Sequence, residues 1–294
     1  MTDYSSHPVA QRLYATGPKR ILSLDGGGIR GAVTLGYLKK LEAELRRRHN
    51  RPDMVLSDYF DLIGGTSTGS IIAASLAIGM DIASILKGYG EMGSTIFEPP
   101  AKWWQIGKLL RQNLFYKNRP AAIEGTLQKY FHNQETNAEI LLGGKELKCG
   151  LVIVAKRVDT FSVWPMHNNP KGKYYDQNKD IPLWRVVRAS SAAPTFFPPT
   201  IFQYDQKGSK GAFIDGGVST FNNPAMLLFL ISTLKGFKLE WPTGADQLLL
   251  VSIGTGTTDI RYTAEEVQEL GEKNALFWGQ TVPNLFMRDG SDYN

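Results

Sequence analysis

Apolar positions along this chain switch between two periods, and the switches fall at glycines. Residues 20–24 (Arg-Ile-Leu-Ser-Leu) are a short apolar run of strand length. After the glycines at 26–28, Val33, Leu35, Leu38, Leu41 and Leu45 recur at helical spacing among Lys39, Lys40, Glu42, Glu44 and Arg46, which predicts a helix from Gly31 to Arg48. A second strand is expected over Tyr59-Phe60-Asp61-Leu62-Ile63. It leads through Gly64-Gly65-Thr66-Ser67 into a helix of small residues carrying Ile71, Ile72, Ala74, Ser75, Leu76 and Ile78, up to Gly79. Leu151–Ala155 is an unbroken apolar run, Leu248–Ile253 is interrupted only by Ser252, and Ala212–Ile214 immediately precedes Asp215. Further helices are expected over Leu183–Ser190, Ala225–Leu234 and Ala264–Leu270. Continuous rather than alternating strands imply burial on both faces, so helices should cover both sides of one sheet.

Composition narrows the class. The chain has 294 residues, 42% hydrophobic and 21% charged, which suits a large soluble α/β unit. No linker divides it, so the expected organisation is a polar leader over 1–19 and a single catalytic domain over 20–294. The stretch from Phe277 to Asn294 gives no stop signal, so the C-terminal end is expected to be incomplete. No apolar stretch is long enough to span a membrane. The leader is broken by Pro8, Gly17 and Pro18 and has no apolar core, so no secretory signal is expected. A single cysteine, Cys149, fits a reducing compartment, and cytoplasm is the expectation. Net charge is +5, without zinc-type spacing, repeat or nucleic-acid motif, so no nucleic-acid partner is expected.

Three segments carry chemistry. Gly65 and Gly69 flank Ser67 at the spacing of a strained strand-to-helix turn that presents a serine nucleophile to the N-terminus of a helix. A serine hydroxyl needs a base. The usual hydrolase order places a histidine after the acid, but the four histidines, His7, His49, His132 and His167, all precede Asp215. Each is expected at the surface, the last two in polar loops. Asp215 remains: it ends an apolar strand and is followed by Gly216 and Gly217, which permit close backbone approach. In a cleft its carboxylate would be partly desolvated and more basic. Gly26-Gly27-Gly28 between strand and helix supply amides that can converge on an anion, with Arg30 as a supporting charge. The same glycines formally match a dinucleotide loop, but Glu42 and Glu44, at the distance of a ribose ligand, lie inside the helix. A phosphate loop would need a Gly-Lys-Ser/Thr ending, which is lacking.

On these residues the chain resembles the patatin-like phospholipase family. The matching stretches are Asp25–Gly31, Gly65–Gly69, the run from Arg188 to Pro199, Asp215–Gly217 and Ser252–Gly256, in the family's order. The third segment reads Asp-Gly-Gly where many relatives have Asp-Gly-Ala. The resemblance implies a three-layer α/β/α fold with a central mixed, mostly parallel sheet. It also implies hydrolysis of fatty-acyl esters of phospholipids or related glycerolipids by a Ser67–Asp215 dyad, with an oxyanion hole from Gly26, Gly27 and Gly28. No metal or other cofactor is implied, calcium included. Transacylation to another alcohol, or a catalytically silent binding module on the same fold, are the alternatives.

A lipid substrate calls for a membrane-facing element. Residues 97–120 combine Phe97, Trp103, Trp104, Phe115 and Tyr116 with Lys102, Lys108, Arg111, Lys117 and Arg119, and no acid lies between Pro99 and Pro120. Trp103, Ile106, Leu110 and Leu114 share one helical face. Two readings stand: peripheral membrane contact through 97–120, or a cap packing its tryptophans on the core.

Overall fold

The computed structural model describes residues 6–96, 112–194 and 196–256, and parts of 263–289. In chain order the elements are α1 (Pro8–Tyr14), β1 (Lys19–Leu24), α2 (Gly31–His49), α3 (Leu56–Tyr59), β2 (Leu62–Thr66), α4 (Thr68–Ala77), α5 (Ile82–Ile96) and α6 (Gln112–Tyr130). They continue with β3 (His132–Asn133), β4 (Ala138–Glu139), β5 (Gly150–Arg157), β6 (Val163–His167), α7 (Tyr175–Asn178), α8 (Leu183–Ser190), β7 (Thr200–Gln203), β8 (Lys210–Asp215), α9 (Ala225–Thr233), β9 (Leu248–Ile253) and α10 (Ala264–Leu270).

Seven strands form one mixed sheet in the order β7-β8-β5-β2-β1-β9, with β6 also paired to β5. β9, β1, β2 and β5 run parallel, while β6 and β8 are antiparallel to β5 and β7 is antiparallel to β8. Five of the seven strands therefore share one direction. Consecutive strand residues point to opposite faces. Gly64 lies under Leu228 of α9, and Gly65 lies against Gly69 of α4 on the other side. Helices cover both faces, which makes the domain three-layered. α4 is buried along its whole length, which is why its sequence is apolar or small all round.

Several expectations are corrected. β2 begins at Leu62 rather than Tyr59, which ends the short helix α3. Asp61 accounts for the break: its Oδ2 accepts the Arg20 amide at 2.8 Å and its Oδ1 pairs with Arg12 Nε at 2.9 Å. β9 matches the expected run, but Leu249 is 44% exposed, so this strand is not buried on both faces. Within the leader, α1 packs Val9, Ala10 and Leu13 into the core. His7 is buried there: its Nδ1 accepts the Val9 amide at 3.3 Å. His132 and His167 sit on strands, not in loops, and burial holds the His167 ring down to about 4. Only His49 fits the surface expectation.

Candidate active site

The chain turns sharply where β2 meets α4. Ser67, between them, has φ 54° and ψ −124°, a region L-residues rarely occupy, at a cost of about 1–3 kcal/mol. The surroundings hold it there. Its amide donates to Ser190 Oγ at 2.9 Å, and Ser190 Oγ donates to Val154 O at 2.6 Å. Its carbonyl accepts from the Ser70 amide at 2.9 Å and from Ser70 Oγ at 2.5 Å. A side chain at Gly65 would collide with the Gly69 carbonyl, and one at Gly69 with the carbonyls of Leu24 and Asp25. The two flanking glycines are thus fixed by backbone packing.

β5 brings the carboxylate to the serine. Thr66 of β2 is registered opposite Val154, and Asp215 of β8 opposite Ala155, the next residue. β6 pairs with both Val154 and Ala155 from the other edge. β2 and β8 therefore meet end to end along a single edge of β5. Ser67 Oγ donates to Asp215 Oδ2 at 2.6 Å, and Oδ1 accepts the Gly217 amide at 2.7 Å. The Asp215 amide donates to Ala192 O at 3.0 Å. Burial pushes the Asp215 carboxyl up to about 6, although the bonds from Ser67 and Gly217 favour the ionised form. A Cβ at Gly216 would strike the Val154 carbonyl, so this glycine lets β8 close onto β5.

The glycine loop lies over this pair. Of the expected trio of amides, two already meet acceptors and one is open. The Gly26 amide is engaged by Asn222 O at 3.0 Å, because the chain after β8 packs directly on it. The Gly27 amide reaches Thr68 Oγ1 at 3.2 Å, and the Gly28 amide donates to no acceptor among the described residues. Tyr89 OH donates to Gly28 O at 2.8 Å and fixes the plane of the following peptide. The Gly26 carbonyl accepts from Thr255 Oγ1 at 3.2 Å, and Gly254 O accepts from Thr34 Oγ1 at 3.0 Å. Arg30 Nη1 donates to Gly256 O at 3.0 Å, so its charge braces the loop after β9. Beneath the loop, Asp25 is buried with Oδ1 unpartnered among the described residues, and burial lifts its carboxyl to about 7.

The structure thus gathers Ser67, Asp215, Gly26, Gly27 and Gly28, with Gly65, Gly69 and Gly216 holding the backbone and Arg30 at the rim. No described hydrogen bond links a histidine to Ser67 or Asp215. Glu42 lies in α2, where Arg46 Nη2 is 3.0 Å away and the Ile82 amide 3.4 Å away. A ribose-binding role there has no support. Ser190, Tyr89, Asn222 and Thr255 were not singled out from sequence. Ser190 and Thr255 stood within resembling stretches, whereas nothing local marked Tyr89. Among the described residues there is no cluster of three or more His, Cys, Asp or Glu suited to a metal. No described helix is long and apolar enough to cross a membrane.

A three-layer α/β protein with a serine and a carboxylate paired at a strained strand-to-helix turn is the class this geometry defines. The profile of the patatin-like phospholipase family matches residues 22–229, and the chain belongs to that family. Patatin-T5 of Solanum tuberosum is 30% identical across 93% of this chain and 70% of its own length. Patatin-17 of Solanum cardiophyllum is 30% identical across 84% of this chain and 63% of its own. Among solved structures, VipD from Legionella pneumophila is similar over 87% of this chain, at 15% identity and TM-score 0.40. This chain spans 53% of that one.

Proposed function

We propose that this protein is a lipid acyl hydrolase, of phospholipase A or lysophospholipase type, that cleaves fatty-acyl esters through Ser67 and Asp215. The observation that carries the reading is the 2.6 Å hydrogen bond from Ser67 Oγ to Asp215 Oδ2 at a strained turn. Asp215 accepts the Ser67 proton as Oγ attacks the ester carbonyl carbon. The Gly28 amide, with that of Gly27, stabilises the resulting oxyanion, each donor contributing about 3–4 kcal/mol in comparable sites. The tetrahedral intermediate collapses, and protonated Asp215 gives its proton to the leaving alcohol oxygen. Water then surrenders a proton to Asp215 and attacks the acyl-serine, and Asp215 returns that proton to Ser67 Oγ as the fatty acid leaves. With a carboxyl lifted to about 6, Asp215 is ionised at neutral pH yet more basic than an exposed carboxylate.

No step in this cycle needs a metal, and we propose a calcium-independent reaction. The polar partner is a glycerolipid ester, met at a membrane surface. Part of the expected membrane element, residues 97–111, lies outside the described residues, so it lends no support to that contact.

The test is incubation with defined phospholipids and lysophospholipids, reading released fatty acids by mass spectrometry beside folded Ser67→Ala and Asp215→Ala proteins. Release dependent on both side chains is the expected result. Full activity in either variant would remove the dyad, and ester product with an added acceptor alcohol would favour transacylation.

A further inference from the structure

We propose that the outer face of the first half of α2 is the surface on which this protein sits on an anionic lipid bilayer. The proposal rests on the lipid hydrolase reading above and adds the place of contact. Ile29 is 64% exposed, Val33 48% and Tyr37 62%. They follow one another at intervals of four: Val33 and Tyr37 line one side of α2, and Ile29 stands in the 3-10 turn that leads into it. Ala32 and Gly36, also exposed, fill the gaps between them. From Gly31 to Leu38 there is no charged residue. An exposed helix normally carries its polar residues on this side, whereas here the side is apolar and unpartnered among the described residues.

Two observations specify the occupant. First, the stripe is bounded by cations: Arg30 at its start and Lys39 and Lys40 at its end. No described carboxylate makes an ion pair with any of the three. The first acid on the helix, Glu42, is buried and paired with Arg46. An apolar strip framed by unopposed positive charge is the pattern of an interfacial helix on anionic lipid. A second copy of this chain, carrying the same cations, would be repelled by it. Second, the stripe starts at the site itself. Ile29 directly follows Gly28, whose carbonyl is pinned by Tyr89, and the strip runs away from it for about 12 Å to Tyr37. A bilayer on this face would lie next to the open Gly28 amide. An acyl chain drawn out of the lipid would have only a short path to Ser67.

The experiment uses the full chain and vesicles of phosphatidylcholine with and without 30% phosphatidylserine (roughly that fraction, to give a surface potential). Binding is read by co-sedimentation with the Ser67→Ala protein, which separates docking from turnover. Val33→Asp/Tyr37→Asp is expected to lose at least about tenfold in vesicle affinity. Its hydrolysis of a soluble short-chain ester should stay within about twofold of the parent. Lys39→Glu/Lys40→Glu should abolish the preference for anionic vesicles while the protein keeps its melting temperature. Unchanged vesicle binding in both variants would overturn the proposal. So would a parent dimer that the Asp variant converts to monomer, since the face would then belong to a second copy. If soluble-ester hydrolysis is absent in the parent while vesicle binding follows this pattern, the hydrolase reading fails and the docking face stands.

Discussion

Ser190 Oγ ties the amide of Ser67 to the backbone of β5, accepting from one at 2.9 Å and donating to Val154 O at 2.6 Å. A single hydroxyl thereby locks the strained turn to the strand that also registers Asp215. Loss of that hydroxyl orphans a buried amide and a buried carbonyl together. Ser190→Ala should lower stability by about 1–3 kcal/mol and reduce kcat more than it raises KM. Chemical denaturation and steady-state kinetics check it, and a variant with full kcat would show that the turn holds itself.

The ionisation of Asp215 sets a pH profile. With its carboxyl raised to about 6 by burial, kcat/KM on a soluble ester should be level at neutral pH. Below that value it should fall about tenfold per pH unit as the base becomes protonated. An inflection at the ordinary carboxylate value would place the working base elsewhere.

Stability should move the opposite way. Asp215 has a folded pKa of about 6 against 3.8 for a free carboxyl, so the folded state holds the proton more tightly. Its contribution is fully present below the free value and is lost as pH rises through about 6. Asp215→Asn should therefore raise the melting temperature at pH near 8, by about 3 kcal/mol in free energy, with less gain in acid. Activity should drop by roughly two to four orders of magnitude. Calorimetry at two pH values distinguishes this from a base that also supports the fold.

Gly216 and Gly125 should respond in opposite senses to alanine. At Gly216 a Cβ meets the carbonyl of Val154, while at Gly125, inside α6, it meets nothing. Gly216→Ala is expected to cost about 1–3 kcal/mol, and Gly125→Ala to add about 0.5–1 kcal/mol through helix propensity. Equal effects in urea titrations would contradict the close approach of β8 to β5.

Tyr89 offers a test of the proposed oxyanion role of the glycine loop that leaves Ser67 and Asp215 untouched. Tyr89→Phe removes the hydrogen bond to Gly28 O. It should lower kcat by about tenfold with KM nearly constant, because the loosened peptide matters most when the oxyanion forms. A change confined to KM would assign Tyr89 to substrate binding instead.

Much of this could be read from local pattern. β9 and α8 occupy the residues the apolar runs mark, and both catalytic candidates stand where strands were expected to end. The failures are also physical. Asp61, fixed by Arg12 and Arg20, breaks what reads as one strand from Tyr59. His7 and His167 look like surface residues because a lone polar side chain in a polar stretch carries no signal of what folds over it. The Gly26 amide reads as open because Asn222, whose backbone carbonyl it meets, is 196 residues away.

What the sequence determined alone is backbone permission and burial: where strands stop, where glycine lets chains approach, and which serine lies on a turn. Those properties depend on neighbours within a few residues. That Ser67 and Asp215, 148 residues apart, are hydrogen-bonded was decided by tertiary structure. The register of β2 and β8 along one edge of β5 places them together, and burial there gives the carboxyl its basicity. Neither strand order nor desolvation is encoded in any one segment, because both arise only when the segments pack.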